Sequence, residues 1–233
     1  MEALRKKLGR LADREQAAVS RRFFKTGPGE YGEGDLFIGI RVPALRKLAG
    51  EHRGLPLKEV RRLLKSAVHE ERLLALLILV LKYRQGSETE QERIYKLYLS
   101  SSRFINNWDL VDVTAEHIVG AYLDERSRRP LYRLAKSNYL WERRIAVLST
   151  FHFIRRNDFN DTLKIADLLI TDPEDLIHKA VGWMLREVGK RQLKTEEDFL
   201  KKRYRMMPRT MLRYAIERFP EAKRRRYLRG DIR

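Results

Sequence analysis

The stretch Asn106-Asn107-Trp108-Asp109-Leu110-Val111-Asp112 sets a tryptophan and a carboxylate four residues apart behind a capping-type asparagine. At about 100° per residue, Asp112 falls roughly 40° around a helix from Trp108, one turn further on. An aromatic face and an anion then share one edge of the helix. Val111, Ala115, Val119 and Tyr122 flank Trp108, so a core tryptophan beside a solvated or salt-bridged carboxylate is the plain alternative. No serine, lysine or histidine stands in a recognisable nucleophile or metal motif, and there are no cysteines. Any chemistry here runs on one carboxylate, aromatic faces and cations.

Two further segments add to this pair. In residues 174–191 the apolar arc is Ile177, Ala180, Val181, Met184, Leu185 and Val188. Trp183 lies off that arc, in a row with Lys179, Arg186 and Lys190. A tryptophan among three cations suits a sugar–phosphate backbone better than a core, the alternative being a ring tucked under the Lys and Arg stems. Arg144 sits on a segment apolar on nearly every side, so its guanidinium requires an anion. Asp112 or a ligand phosphate would serve.

The elements that position these residues read as helices throughout. Expected helices cover residues 2–25, 43–52, 56–65, 69–84, 88–99, 108–123, 127–136, 140–156, 160–170, 174–191, 195–204 and 208–219, with a short basic tail over about 220–233. No segment shows strand alternation with hairpin turns, so the fold class is all-α. Residues 26–35 hold four glycines and a proline and read as a connector. They lack the Gly-Lys-Ser/Thr ending of a P-loop. Aligning Ala75, Val111, Ala146 and Ala180 gives a period of about 35 residues, the spacing of two-helix repeats. The expected architecture is a curved solenoid of HEAT-like helix pairs forming a single domain over 1–233. Trp108 and Asp112, Arg144 and Trp183 would occupy corresponding helices of successive repeats on its inner surface.

Composition narrows the partner. Of 233 residues, 50 are Lys or Arg and 32 are Asp or Glu, a net charge of +18. Such an excess repels itself and usually serves a polyanion, nucleic acid above all. The longest apolar run, Leu73 to Leu81, is too short for a bilayer, which takes about 20 residues. The charged N-terminus is unlike a secretory signal, so a soluble, cytoplasmic protein without a membrane partner is expected.

In these features the chain resembles the AlkD-like DNA glycosylases, a HEAT-like repeat family of alkylation repair enzymes. The matching stretches are Phe37-Ile-Gly-Ile-Arg-Val-Pro, Trp108-Asp-Leu-Val-Asp112, Leu140-Trp-Glu-Arg-Arg-Ile-Ala-Val-Leu, His178-Lys-Ala-Val-Gly-Trp-Met-Leu-Arg-Glu and Pro208-Arg-Thr-Met-Leu-Arg-Tyr-Ala-Ile-Glu. The resemblance implies a monomeric enzyme that hydrolyses N3- and N7-alkylated purines (3-methyladenine, 7-methylguanine) from duplex DNA, with no cofactor and no metal. It places the family's catalytic aspartate on Asp112, its active-site tryptophans on Trp108 and Trp183, and its active-site arginine on Arg144. Lys179, Arg186 and Lys190 are expected to meet phosphates, with Arg209, Arg213 and Arg224–Arg226 as further candidates. The resemblance leaves residues 26–35 as a variable insertion without a role. A non-catalytic solenoid that binds nucleic acid or an acidic protein is the competing expectation; it accounts for charge and repeats but not for Trp108, Asp112 and Trp183 together.

Overall fold

The computed structural model describes residues 1–232, and among them there is no β-strand, only a single bridge between Leu36 and Val68. The chain divides into two compact units, one running from Met1 to Thr114 and the other beginning at Ala115. The first unit holds α1 (Glu2–Leu11), α2 (Arg14–Phe23), α3 (Val42–Glu51), α4 (Leu57–Leu64), α5 (His69–Gln85), α6 (Glu88–Ser100) and α7 (Trp108–Asp112). The second holds a π-helical turn (Glu116–Gly120) and α8 (Arg129–Ala135), α9 (Leu140–Ser149), α10 (Phe151–Ile154), α11 (Asn160–Leu168) and α12 (Asp175–Gly189). It continues through α13 (Leu193–Arg203), α14 (Arg209–Ala215) and α15 (Glu221–Arg229). No helix of the described residues is long and apolar enough to cross a membrane.

Each unit is built on one helix covered from several sides. In the first it is α5, against which α3, α4, α6 and α7 pack. Leu73, Leu74, Leu76, Ile78 and Leu79 are buried around its whole circumference, as an apolar pattern without a polar face requires. In the second it is α12, packed by α9, α11, α13 and α14. Gly182 sets the approach of α14. A Cβ at this position would lie 2.4 Å from the Met211 carbonyl oxygen and 2.6 Å from the Tyr214 Cβ, so only glycine permits so close a crossing.

Four expected helices are interrupted. Residues 2–25 break at Ala12, where Asp13 caps α2 by accepting the Gln16 N–H at 3.0 Å. Aspartate followed three residues later by glutamine is a capping signature, and the amphipathic period continues across it, which is why periodicity alone merges the two helices. Residues 108–123 divide after Asp112, residues 140–156 at Thr150, and residues 208–219 end in a 3₁₀ turn over Ile216–Arg218. The expected basic tail is instead α15, opened by Pro220 and closed by Gly230 at φ 86°, with the Tyr227 ring buried.

One buried carboxylate in the second unit titrates high although Arg186 and Lys223 oppose the shift. Glu196, 2% exposed, lies over Gly189 at the end of α12, and its Oε1 has no hydrogen-bond partner among the described residues. Burial, reinforced by the charge of Glu197, pushes its pKa up to about 8. A carboxyl group whose folded pKa is raised costs nothing below its ordinary value near 4.5 and its full penalty above about 8. Glu196→Gln should therefore leave the melting temperature unchanged near pH 4.5 and raise it progressively toward pH 8. Thermal unfolding by circular dichroism at both pH values checks this; an equal effect at the two would contradict it.

Candidate active site

The geometry of α7 explains why Trp108 and Asp112 are not core residues. Asn107, fully buried, caps the helix by accepting the Trp108 N–H at 2.8 Å. Leu110 and Val111 are wholly buried and turn one side of the helix into the core. Trp108 and Asp112 lie about 130° around from the middle of that side, and both are half-buried. The helix stops directly after Asp112. Thr114 Oγ1 donates to the Leu110 carbonyl at 2.5 Å and stands 2.9 Å from the Tyr98 hydroxyl. Burial raises the pKa of that phenol, opposed by the Thr114 bond, and the negative charge of Asp112 raises it further.

Trp108 closes a column of rings. Phe24 stacks on it with centroids 5.2 Å apart, and Phe23 meets it edge-on at 5.7 Å. Phe24 in turn stacks on Phe37 at 5.1 Å, and Phe37 on the His69 imidazole at 4.4 Å. A pocket of about 390 Å³ opens beside the column, lined by Phe23, Phe24, Phe37, Ile40, His69 and Asp109 among others. The Trp108 indole N–H donates to the Tyr31 hydroxyl at 3.2 Å.

Residues 26–35 are therefore more than a connector. Tyr31 holds the edge of Trp108, and Asp35 is buried against His69, Arg72 and Asn106. The chain leaving this loop is fixed by Glu70, whose carboxylate accepts the N–H groups of Ile38 (3.1 Å), Gly39 (2.7 Å) and Ile40 (3.3 Å). Gly39 has φ 83°, and a Cβ there would meet the Asp13 carbonyl oxygen at 2.0 Å, so glycine is required twice over.

In the second unit, Arg144 is 4% exposed on α9 and donates to the backbone carbonyl of Leu176, the second residue of α12. Trp183 is half-buried on α12, its indole N–H donating to Glu187 at 3.2 Å and its ring 5.9 Å from Phe151. The expected row of phosphate-binding cations is a set of ion pairs. Lys179 pairs with Asp175 at 2.7 Å, Lys190 with Glu187 at 2.6 Å, and Arg186 with Glu217. Glu187 is the collecting anion: burial raises its pKa, but Lys190, Trp183 and Arg186 more than offset this and hold it below the usual range. Arg209 donates to the Leu228 carbonyl at 2.6 Å, whereas Arg213 projects from α14 into solvent. Arg155 lies over the face of Phe151 at 4.5 Å and pairs with Glu116 at 2.9 Å.

A family model described as "DNA alkylation repair enzyme" matches residues 4–219. No curated protein matches the chain by sequence. Among solved structures, the chain is similar to a predicted DNA alkylation repair enzyme from Enterococcus faecalis at 18% identity and a TM-score of 0.69, covering 90% of this chain and 97% of that one. It is also similar to AlkD2 from Streptococcus mutans, at 16% identity and a TM-score of 0.55, covering 89% and 98% respectively. At these identities the two likenesses establish the fold.

The Tyr31–Trp108 bond gives a direct check on the loop. Tyr31→Phe removes the acceptor while keeping the ring, so the Trp108 indole proton should exchange with solvent faster, at a stability cost of about 1 kcal/mol or less. Hydrogen exchange of the indole N–H by NMR measures this; unchanged exchange would show that the loop does not hold the indole.

Proposed function

The chain belongs to the DNA alkylation repair enzyme family, and from that premise we propose that it is a monofunctional DNA glycosylase. Its substrate is duplex DNA carrying cationic N3- or N7-alkylated purines. The observation that carries this reading is the placing of Trp108 and Asp112 together on the half-buried edge of α7, with the core-facing residues on the other side. An alkylated purine bears a positive charge and leaves without much help from a general acid. What develops as the bond breaks is positive charge on the deoxyribose.

In this proposal the Asp112 carboxylate stabilises that charge and orients the attacking water. The indole of Trp108, held by Phe24 and Tyr31, offers a face to the cationic sugar and keeps bulk water away. Trp183 takes the role of the second aromatic face, and Arg144 that of the family's active-site arginine. The chemistry parallels glycoside hydrolysis with one carboxylate in place of two.

Lys179, Arg186 and Lys190 already have carboxylate partners, so phosphate contacts by them proceed by exchange of one anion for another. The Lys179–Asp175 pair is exposed and contributes about 0–1 kcal/mol, little enough for a phosphate to displace, whereas Glu187 is buried and would hold Lys190 more firmly. Affinity would then rest on many weak contacts, with little sequence preference.

Purified protein incubated with methylated duplex DNA should release free 7-methylguanine or 3-methyladenine in the presence of a chelator, without strand nicking and without a borohydride-trapped adduct. Intact DNA binding with no base release from any of several lesions would overturn the glycosylase reading in favour of a binding scaffold. Duplex affinity should fall steeply with salt, on the order of 10³-fold between 50 and 200 mM if about six phosphates are contacted. Fluorescence anisotropy measures the slope, and a flat one would exclude the phosphate-driven mode.

A further inference from the structure

The first residue of α5 reaches two carboxylates that come from distant parts of the first unit. His69 is 2% exposed; its Nδ1 lies 3.2 Å from Asp35 Oδ2 and its Nε2 2.8 Å from Asp109 Oδ2. Ionised carboxylates only accept hydrogen bonds, so a ring that serves both must donate from both nitrogens, which only the imidazolium does. Its surroundings favour that form. Asp35 is also paired with Arg72 at 2.7 Å and accepts from Asn106 at 3.4 Å, and Asp109 Oδ1 accepts the Leu110 N–H at 2.9 Å. Glu70, next along α5, is turned toward the backbone of residues 38–40, and the ring faces are covered by the neutral Phe37 and Phe24. Arg72 is the opposing cation. Burial lowers the His69 pKa, but the bonds to Asp109 and Asp35 outweigh it, and the net shift is upward.

The two carboxylates belong to the two supports of Trp108. Asp109 follows Trp108 on α7, a helix of five residues and thus too short to hold its own shape. Asp35 ends the loop whose Tyr31 takes the Trp108 indole N–H. We propose that His69 is a positioning residue: a buried clamp between Asp35 and Asp109 that fixes α7, and with it Trp108 and Asp112, against the loop of residues 26–35. This rests on the glycosylase reading for its effect on rate, though not for its effect on structure. When the imidazole loses its proton, one of the two carboxylates faces a lone pair and that side of the clamp opens. A group with a raised folded pKa contributes fully below its unfolded value, near 6.5, and its contribution is lost as pH rises through the folded value. Activity should therefore fall on the alkaline side of that window. Displacement of a reacting group by about an ångström costs on the order of 10²-fold in rate.

Two measurements test this together. By NMR on the wild-type protein, the His69 ring should titrate above its ordinary value, and the Trp108 indole N–H resonance (assigned with Trp108→Phe) should move with the same midpoint. Single-turnover release of 7-methylguanine from methylated duplex should fall with that midpoint as well. His69→Gln keeps a donor toward Asp109 and has no titrating proton. It should abolish the alkaline limb and lower the plateau rate while leaving duplex binding unchanged. If His69→Gln fails to fold, the wild-type titration alone decides. A Trp108 resonance indifferent to the His69 titration, or an alkaline limb that persists in the folded variant, would overturn the clamp. If the wild-type protein releases no base at any pH, the glycosylase reading fails while the NMR titration still decides the clamp.

Discussion

A helix of five residues closes little more than one turn, and nucleation theory gives it no stability alone. The shape of α7 is therefore imposed from outside, and the first unit is arranged to impose it. Asn107 caps its first N–H, Leu110 and Val111 anchor it in the core, and Thr114 ties its last turn to Tyr98. Asp109 is held by an imidazole that also grips the preceding loop. Trp108 and Asp112 lie on the half-buried edge that remains.

The charge distribution obeys a related constraint. A protein of net charge +18 must manage its own repulsion, and in the second unit it does so by threading carboxylates between cations. Glu187 gathers Trp183, Lys190 and Arg191, and Glu217 meets Arg186. The same logic accounts for Asp167 with Arg203, and for Asp158 and Asp161 with Arg128.

How much of this could be read from the sequence depended on the range of the interaction. The all-α fold was legible because the 3.6-residue period is local and strand alternation is absent. The breaks at Ala12 and Thr150 were not, since the apolar period runs through them; the Asp13–Gln16 cap was the one available signal. The proximity of Trp108 and Asp112 followed from helix geometry alone. Tyr31 stands 77 residues from Trp108 and Asp35 stands 34 residues from His69 and 71 from Asn106, and a glycine-rich loop gives no hint of these partners. His69 stands in no nucleophile or metal motif in the sequence, and its contacts to Asp35 and Asp109 exist only in the fold. The row of Lys179, Arg186 and Lys190 is visible in the sequence, but its carboxylate partners, Glu217 above all, come into reach only in the fold.

In the proposed reaction the negative charge of Asp112, and not merely the shape of the site, drives departure of the base. Asparagine matches the size of aspartate and removes the charge, so Asp112→Asn separates the two. At saturating protein, single-turnover release of 7-methylguanine should fall by on the order of 10²-fold or more, as for loss of a fixed group stabilising the transition state. Affinity for the same duplex should hold. Release at the wild-type rate by a correctly folded Asp112→Asn would contradict the account.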